Sequence, residues 1–129
     1  MIYVLDTHPL VWFLADSERL GPTAKSIFSD AEAEFIIPAI VLAEIKYLHA
    51  KKRFSIDVDT VYERVISARN CTIFPVDENV ISALPTSLDI HDALIVGTAL
   101  VIEDALDKDV AVITRDEMIV DSDLIMTVW

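Results

Sequence analysis

The sequence predicts an α/β fold, a three-layer α/β/α sandwich on a mostly parallel central sheet. Three observations predict it. Short apolar runs rich in β-formers alternate with longer segments of helical periodicity, the order that builds strands joined by helical crossovers. Two of those runs, Ile2–Leu5 and Ala111–Ile113, are short and uniformly apolar and read as buried central strands. Each run is followed closely by an acid, Asp6 and Asp116, at the strand's carboxyl end, where open α/β sheets place their ligands. The 129 residues are 53% hydrophobic, enough to build one core, so a single domain over residues 1–129 is expected.

The elements follow in chain order. After the strand Ile2–Leu5, Thr7 suits an N-cap and Pro9 a first helical turn, so a short helix is expected from about His8 to Leu14. Asp16 to Pro22 is turn-rich. Pro22 to Ala33 reads as a second helix, with Ala24, Ile27, Phe28 and Ala31 on one face. Phe35–Ile37 is a buried strand closed by Pro38, and Ala39 to Lys52 a helix with a broad apolar face. Its basic end, with Lys46, Lys51, Lys52 and Arg53 beyond it, complements the helix dipole.

Asp57 opens a helix to about Ala68, with Val58, Val61, Val65 and Ile66 inward. Thr72–Val76 reads as an edge strand, because Pro75 lacks the N–H that a central ladder needs. Asp77 to Leu84 is a brief helix and Pro85–Ser87 a loop. A long apolar helix runs from roughly His91 to Leu106, its Gly97 marking a close approach. Leu124–Trp129 is the last strand.

Charge and composition narrow the function. Acids outnumber basic residues 22 to 10, a net charge of −12, which opposes nonspecific nucleic-acid binding and suits a divalent cation. Most of these acids serve ordinary solubility. No apolar run reaches the ~18 residues of a membrane span, and the N-terminus has no signal-peptide pattern. Cys71 is the only cysteine, which excludes a disulfide framework or a thiolate metal cluster. Glycines occur only at Gly21 and Gly97, so there is no phosphate loop for a nucleotide cofactor. A soluble cytoplasmic protein is expected.

Four acids stand out by position. Asp6 and Asp116 follow buried strands, Asp92 lies in the first turn of the most apolar helix, and Glu44 is the only acid of its helix. In a parallel sheet, strand ends and the following helix starts share one edge, so all four can converge there. Singly, each has an ordinary role: Asp6 as a helix cap, Asp92 against a helix dipole, Asp116 in a turn, Glu44 paired with Lys46 or Lys51. Together, four anions at one edge call for a cation, and an all-oxygen set favours Mg²⁺ or Mn²⁺ over zinc. The histidines are not spaced as a zinc triad, and His91 reads as a polar loop residue near the site.

Leu5-Asp6-Thr7, Pro38 to Ile45 around Glu44, His91 to Leu100 around Asp92, and Ile113-Thr114-Arg115-Asp116 resemble, in order and spacing, the four acidic motifs of PIN domains. The nearest branch is the single-domain VapC-type toxin ribonucleases. The resemblance implies a metal-dependent endoribonuclease, with Asp6, Glu44, Asp92 and Asp116 binding metal. It also implies an RNA substrate, a small antitoxin partner and a homodimer. Thr114 matches a Ser or Thr that accompanies the last acid, and Asp89 an additional acid before the third. Ala93 and Ala39 depart from the family, which commonly carries Arg and Ser or Thr there. Lys46, Lys51, Lys52, Arg53 and Arg115 are the cations available to hold RNA.

Two other classes compete. A PIN-like binding or regulatory module with little or no nuclease activity fits the −12 charge and Ala93, whereas four intact acids favour the enzyme. A phospho-receiver domain needs paired acids after its first strand, which Asp6-Thr7 lacks.

Overall fold

The computed structural model, which describes all 129 residues, contains one five-stranded sheet in the order β3-β2-β1-β4-β5. The strands are β1 (Ile2–Leu5), β2 (Glu34–Pro38), β3 (Cys71–Phe74), β4 (Val110–Ile113) and β5 (Met126–Val128). Every pairing is parallel, so the sheet is parallel throughout. The apolar run Ile2–Leu5 occupies its centre, with Ile2 opposite Val110 and Leu5 opposite Ile113. Cys71–Phe74 forms one edge, as Pro75 requires.

Seven helices connect the strands: α1 (Thr7–Leu14), α2 (Pro22–Phe28), α3 (Ala39–Ala50), α4 (Val58–Ser67), α5 (Glu78–Ser82), α6 (Ile90–Leu106) and α7 (Glu117–Ser122). The chain steps from β1 outward to β2 and β3, then crosses back to β4 on the other side of β1. Right-handed crossovers therefore put α1 to α4 on one face and α5 to α7 on the other. Leu5, Phe35 and Ile37 share a cavity with Leu10, Phe28 and Val65, residues of α1, α2 and α4. The core runs along the sheet, with Val4, Ile37, Val41, Ile45, Ile95, Val112 and Ile113 fully enclosed.

Several expected boundaries differ. The second helix stops at Phe28 rather than Ala33, because the backbone turns through Ser29 and Asp30. Asp30 Oδ1 accepts the Glu32 N–H at 2.9 Å, a local bond that competes with helix. The helix from Ala39 ends at Ala50, ahead of Lys52 in the left-handed region. Asp6, not Thr7, caps α1. The helix Glu117–Ser122, absent from the sequence reading, is nucleated by Asp116, whose Oδ1 accepts the Met118 and Ile119 N–H groups. Ile27, Phe28, Ile40 and Leu42 pack partly buried against the core. No helix is long and apolar enough to cross a membrane.

Candidate functional site

A sheet ordered 3-2-1-4-5 changes direction between β1 and β4, and the crevice at the carboxyl ends of those two strands is where such folds place ligands. Asp6 leaves β1 there. It is 8% exposed, and burying a carboxylate to that degree costs on the order of several kcal/mol unless it is well hydrogen-bonded. Two hydrogen bonds offset part of that cost. The Thr7 N–H donates to Oδ1 at 2.7 Å, and the Thr114 hydroxyl, at the end of β4, donates to Oδ2 at 2.7 Å. Burial still outweighs these bonds and the nearby His91, and the Asp6 carboxyl sits above its ordinary range.

The other three acids reach the same edge. Glu44, in the second turn of α3, receives the Thr7 hydroxyl on Oε2 at 2.8 Å and forms a close ion pair with His91 Nε2. Burial alone would raise its carboxyl, but the imidazole and the Thr7 hydroxyl more than offset it and hold it low. Asp92, in the first turn of α6, is raised by burial and then by the charge of Asp116, and further by Asp6. His91 Nδ1 stands 3.6 Å from Asp92 Oδ1. Asp116 commits one oxygen to capping α7, which leaves the other for the crevice.

His91 is thus the basic group inside the acid cluster. Its ion pair with Glu44 raises it above the usual histidine value against the opposing effect of burial, with further contributions from Asp6 and Asp92. His91 lies in the first turn of α6, which starts one residue before the expected boundary, so it is a helical residue of the site and not the polar loop residue also considered for it. Its position next to Asp92 in a helix's first turn was the available signal. Thr7 was also missed as a link, though it follows Asp6 directly. Glu44 pairs with neither Lys46 nor Lys51, since both ion pairs in the chain belong to His91. Asp89 is exposed at the start of α6 and its side chain caps nothing.

The donor chemistry fits a hard divalent cation. All four acids offer carboxylate oxygen, and Glu44 and Asp116 each keep one oxygen outside the hydrogen bonds named above. Two of the four are pushed toward protonation, in part by their anionic neighbours, which is the repulsion that a cation relieves. As they stand, no three acid or histidine side chains are gathered closely enough to enclose an ion.

A family model described as PIN domain matches residues 3–123. The chain belongs to the PIN domain family. Two solved structures share its fold along nearly the whole length. One is VapBC2 from Rickettsia felis bound to a DNA fragment from their promoter: TM-score 0.67, 17% identity, 99% of this chain and 98% of that one covered. The other is VapBC-1 from nontypeable Haemophilus influenzae: TM-score 0.66, 13% identity, 99% and 97% covered. Among curated proteins none matches the chain in sequence. The PIN domain match takes in all four acids and the two threonines that tie three of them together.

Proposed function

We propose that this PIN domain is a metal-dependent endoribonuclease, the toxin of a toxin–antitoxin pair, hydrolysing RNA phosphodiester bonds with Mg²⁺ or Mn²⁺. The observation that carries the reading is the convergence of Asp6, Glu44, Asp92 and Asp116 on the crevice between β1 and β4, close enough to shift one another's proton affinity. Asp6 and Asp92 are assigned as direct ligands, with Glu44 and Asp116 completing the shell directly or through water. A divalent cation in such a site supplies an activated water and stabilises the departing oxygen. The Thr7 N–H on Oδ1 and the Thr114 hydroxyl on Oδ2 hold the Asp6 carboxylate in place, which limits its reorganisation. Glu44 can take part through Oε1 while Thr7 and His91 hold Oε2. Partnership with a small antitoxin, and a homodimer, are part of this proposal. Ile66, which faces solvent and not inward as expected, and exposed Ile81 and Ile90 are apolar surface available for such contacts.

The test is cleavage of single-stranded RNA in Mn²⁺ by the parent, Asp6→Asn and Asp92→Asn. Cutting by the parent and loss in both variants is expected. Parent-like cutting by both variants, or none by the parent, would sink the nuclease.

One observation favours a second reading, a PIN fold that binds a partner without cutting. Glu44 is already engaged by Thr7 and His91, and no three side chains are preassembled around an ion. On that reading, metal leaves the melting curve unchanged and His91→Ala does not alter it.

A further inference from the structure

Beside the acids lies a cleft of about 370 Å³ whose walls include Asp6, His8, Trp12, Arg19, Arg115 and Asp116. Its lining joins two carboxylates, Asp6 and Asp116, to two guanidinium groups, Arg19 and Arg115. Neither arginine makes a side-chain hydrogen bond or ion pair within the chain, although 22 acids are available to it. For Arg115 the reason is local. Its neighbour Asp116 turns to cap α7, and the Arg115 guanidinium instead lies over the Trp12 ring, 4.6 Å from the centroid, and 5.6 Å from that of Trp129. The two indoles pack edge to face at 5.7 Å, so the cation rests on a braced aromatic shelf. No acid of the chain takes up the Arg115 donor fork, which stays available for a planar or tetrahedral oxyanion.

A chain at −12 has few ways to grip a polyanion, and two unpaired arginines beside the acid cluster are the strongest of them. Resting on the nuclease reading above, we propose that Arg115, with Arg19 of the same cleft, binds the backbone phosphate that adjoins the cleaved phosphodiester. The acids take the cleaved linkage and the arginines the next one along the strand. Arg115 is then a positioning residue that sets register, and the cleft selects a chain with at least two consecutive phosphates.

The experiment compares the parent with Arg115→Met, which keeps apolar cover over Trp12, and with Arg115→Lys and Arg19→Ala. Single-stranded oligoribonucleotide affinity is measured in Ca²⁺ over a salt series, and cleavage in Mn²⁺ on oligonucleotides with one linkage beside the cut replaced by an uncharged methylphosphonate. Arg115→Met should weaken binding about 10-fold and flatten the slope of log Kd against log salt by about 0.7, one phosphate contact on a single strand. Arg115→Lys should keep the salt slope. For the parent, one such replacement should slow cleavage about 10-fold, while Arg115→Met should be indifferent to it. Unchanged affinity and salt slope in Arg115→Met overturns the subsite even if the parent cuts RNA. A parent that does not cut overturns the nuclease reading, and the binding series still decides the subsite. If a glutamate-rich peptide, and not RNA, is what loses affinity in Arg115→Met, the phosphate assignment is overturned and the arginines belong to a protein partner.

Discussion

Thr7 and Thr114, both almost wholly buried, tie three of the four acids together. Thr7 serves Asp6 through its N–H and Glu44 through its hydroxyl, while the Thr114 hydroxyl donates to Asp6 and accepts the Asp116 N–H at 3.0 Å. Thr114→Val keeps the shape but leaves a buried carboxylate oxygen and an N–H without partners. It should cost about 1.5–3 kcal/mol in a denaturant titration, with Thr114→Ser near the parent. A valine variant as stable as the parent would show that the hydroxyl supports nothing. Asp6 and Asp92 behave in the opposite sense. Their folded-state affinity for a proton is raised, so their ionised forms lower stability at neutral pH. Asp92→Asn should therefore melt higher than the parent without metal, while losing cleavage. His91 supplies the pH dependence. A histidine raised by its partner contributes stability that is complete below the ordinary value of 6.5 and is lost as pH rises through the raised value. The metal-free melting temperature should fall over that interval, and His91→Gln should flatten the fall. A parent whose melting temperature is level from pH 6.5 upward would contradict the Glu44–His91 pair.

At the scale of elements, α6 is held close to α5 by its one glycine. A Cβ on Gly97 would lie 3.3 Å from both the Leu84 side chain and the Val80 carbonyl oxygen. A larger, branched side chain cannot be accepted there without moving α5, so Gly97→Val should destabilise by about 1–3 kcal/mol, read from the shift of a urea midpoint. A change within ~0.5 kcal/mol would mean that α5 gives way freely. The pattern of what the sequence reveals follows the same physics. Uniformly apolar runs such as Ile2–Leu5 and Ala111–Ile113 announce buried strands, and their trailing acids announce the edge, because both signals are local. Pro75 likewise marks β3 as an edge strand. Short helices were harder. Six residues of α7 depend on one capping side chain, and Asp30 ends α2 through a single Asx bond that competes with the apolar periodicity running on to Ala33. The pairing of His91 with Glu44 joins residues 47 positions apart, and no periodicity encodes a contact between the starts of two helices on opposite sides of a sheet. Arg19 was passed over for the same reason, since only the folded chain puts it in one cleft with Arg115.

For the whole molecule, the balance to be tested lies between a net charge of −12 and a crevice that concentrates four of those charges. Surface acids are screened beyond about 8 Å at physiological salt, so the distant ones contribute little to events in the crevice. Within it, burial and repulsion between the acids hold Asp6 and Asp92 above their ordinary range, against the opposing pull of the His91 imidazole and of the hydrogen bonds that Thr114 and Thr7 give Asp6. If the crevice takes Mg²⁺ or Mn²⁺, binding to the folded state alone must raise stability, by about 2.7 kcal/mol at a metal concentration 100 times Kd. The melting temperature of the parent should then climb by several degrees in millimolar Mn²⁺, beyond any rise in NaCl of equal ionic strength. Asp92→Asn makes the prediction specific to the site. It starts higher than the parent without metal, because a repelling charge is gone, and it gains less when metal is added, because an oxygen ligand of full charge is gone. The two melting temperatures should converge or cross as Mn²⁺ is titrated. Parallel rises in both proteins would place the ion elsewhere on the acidic surface, and no rise in either would leave the four carboxylates as a structural cluster held by His91 and two threonines.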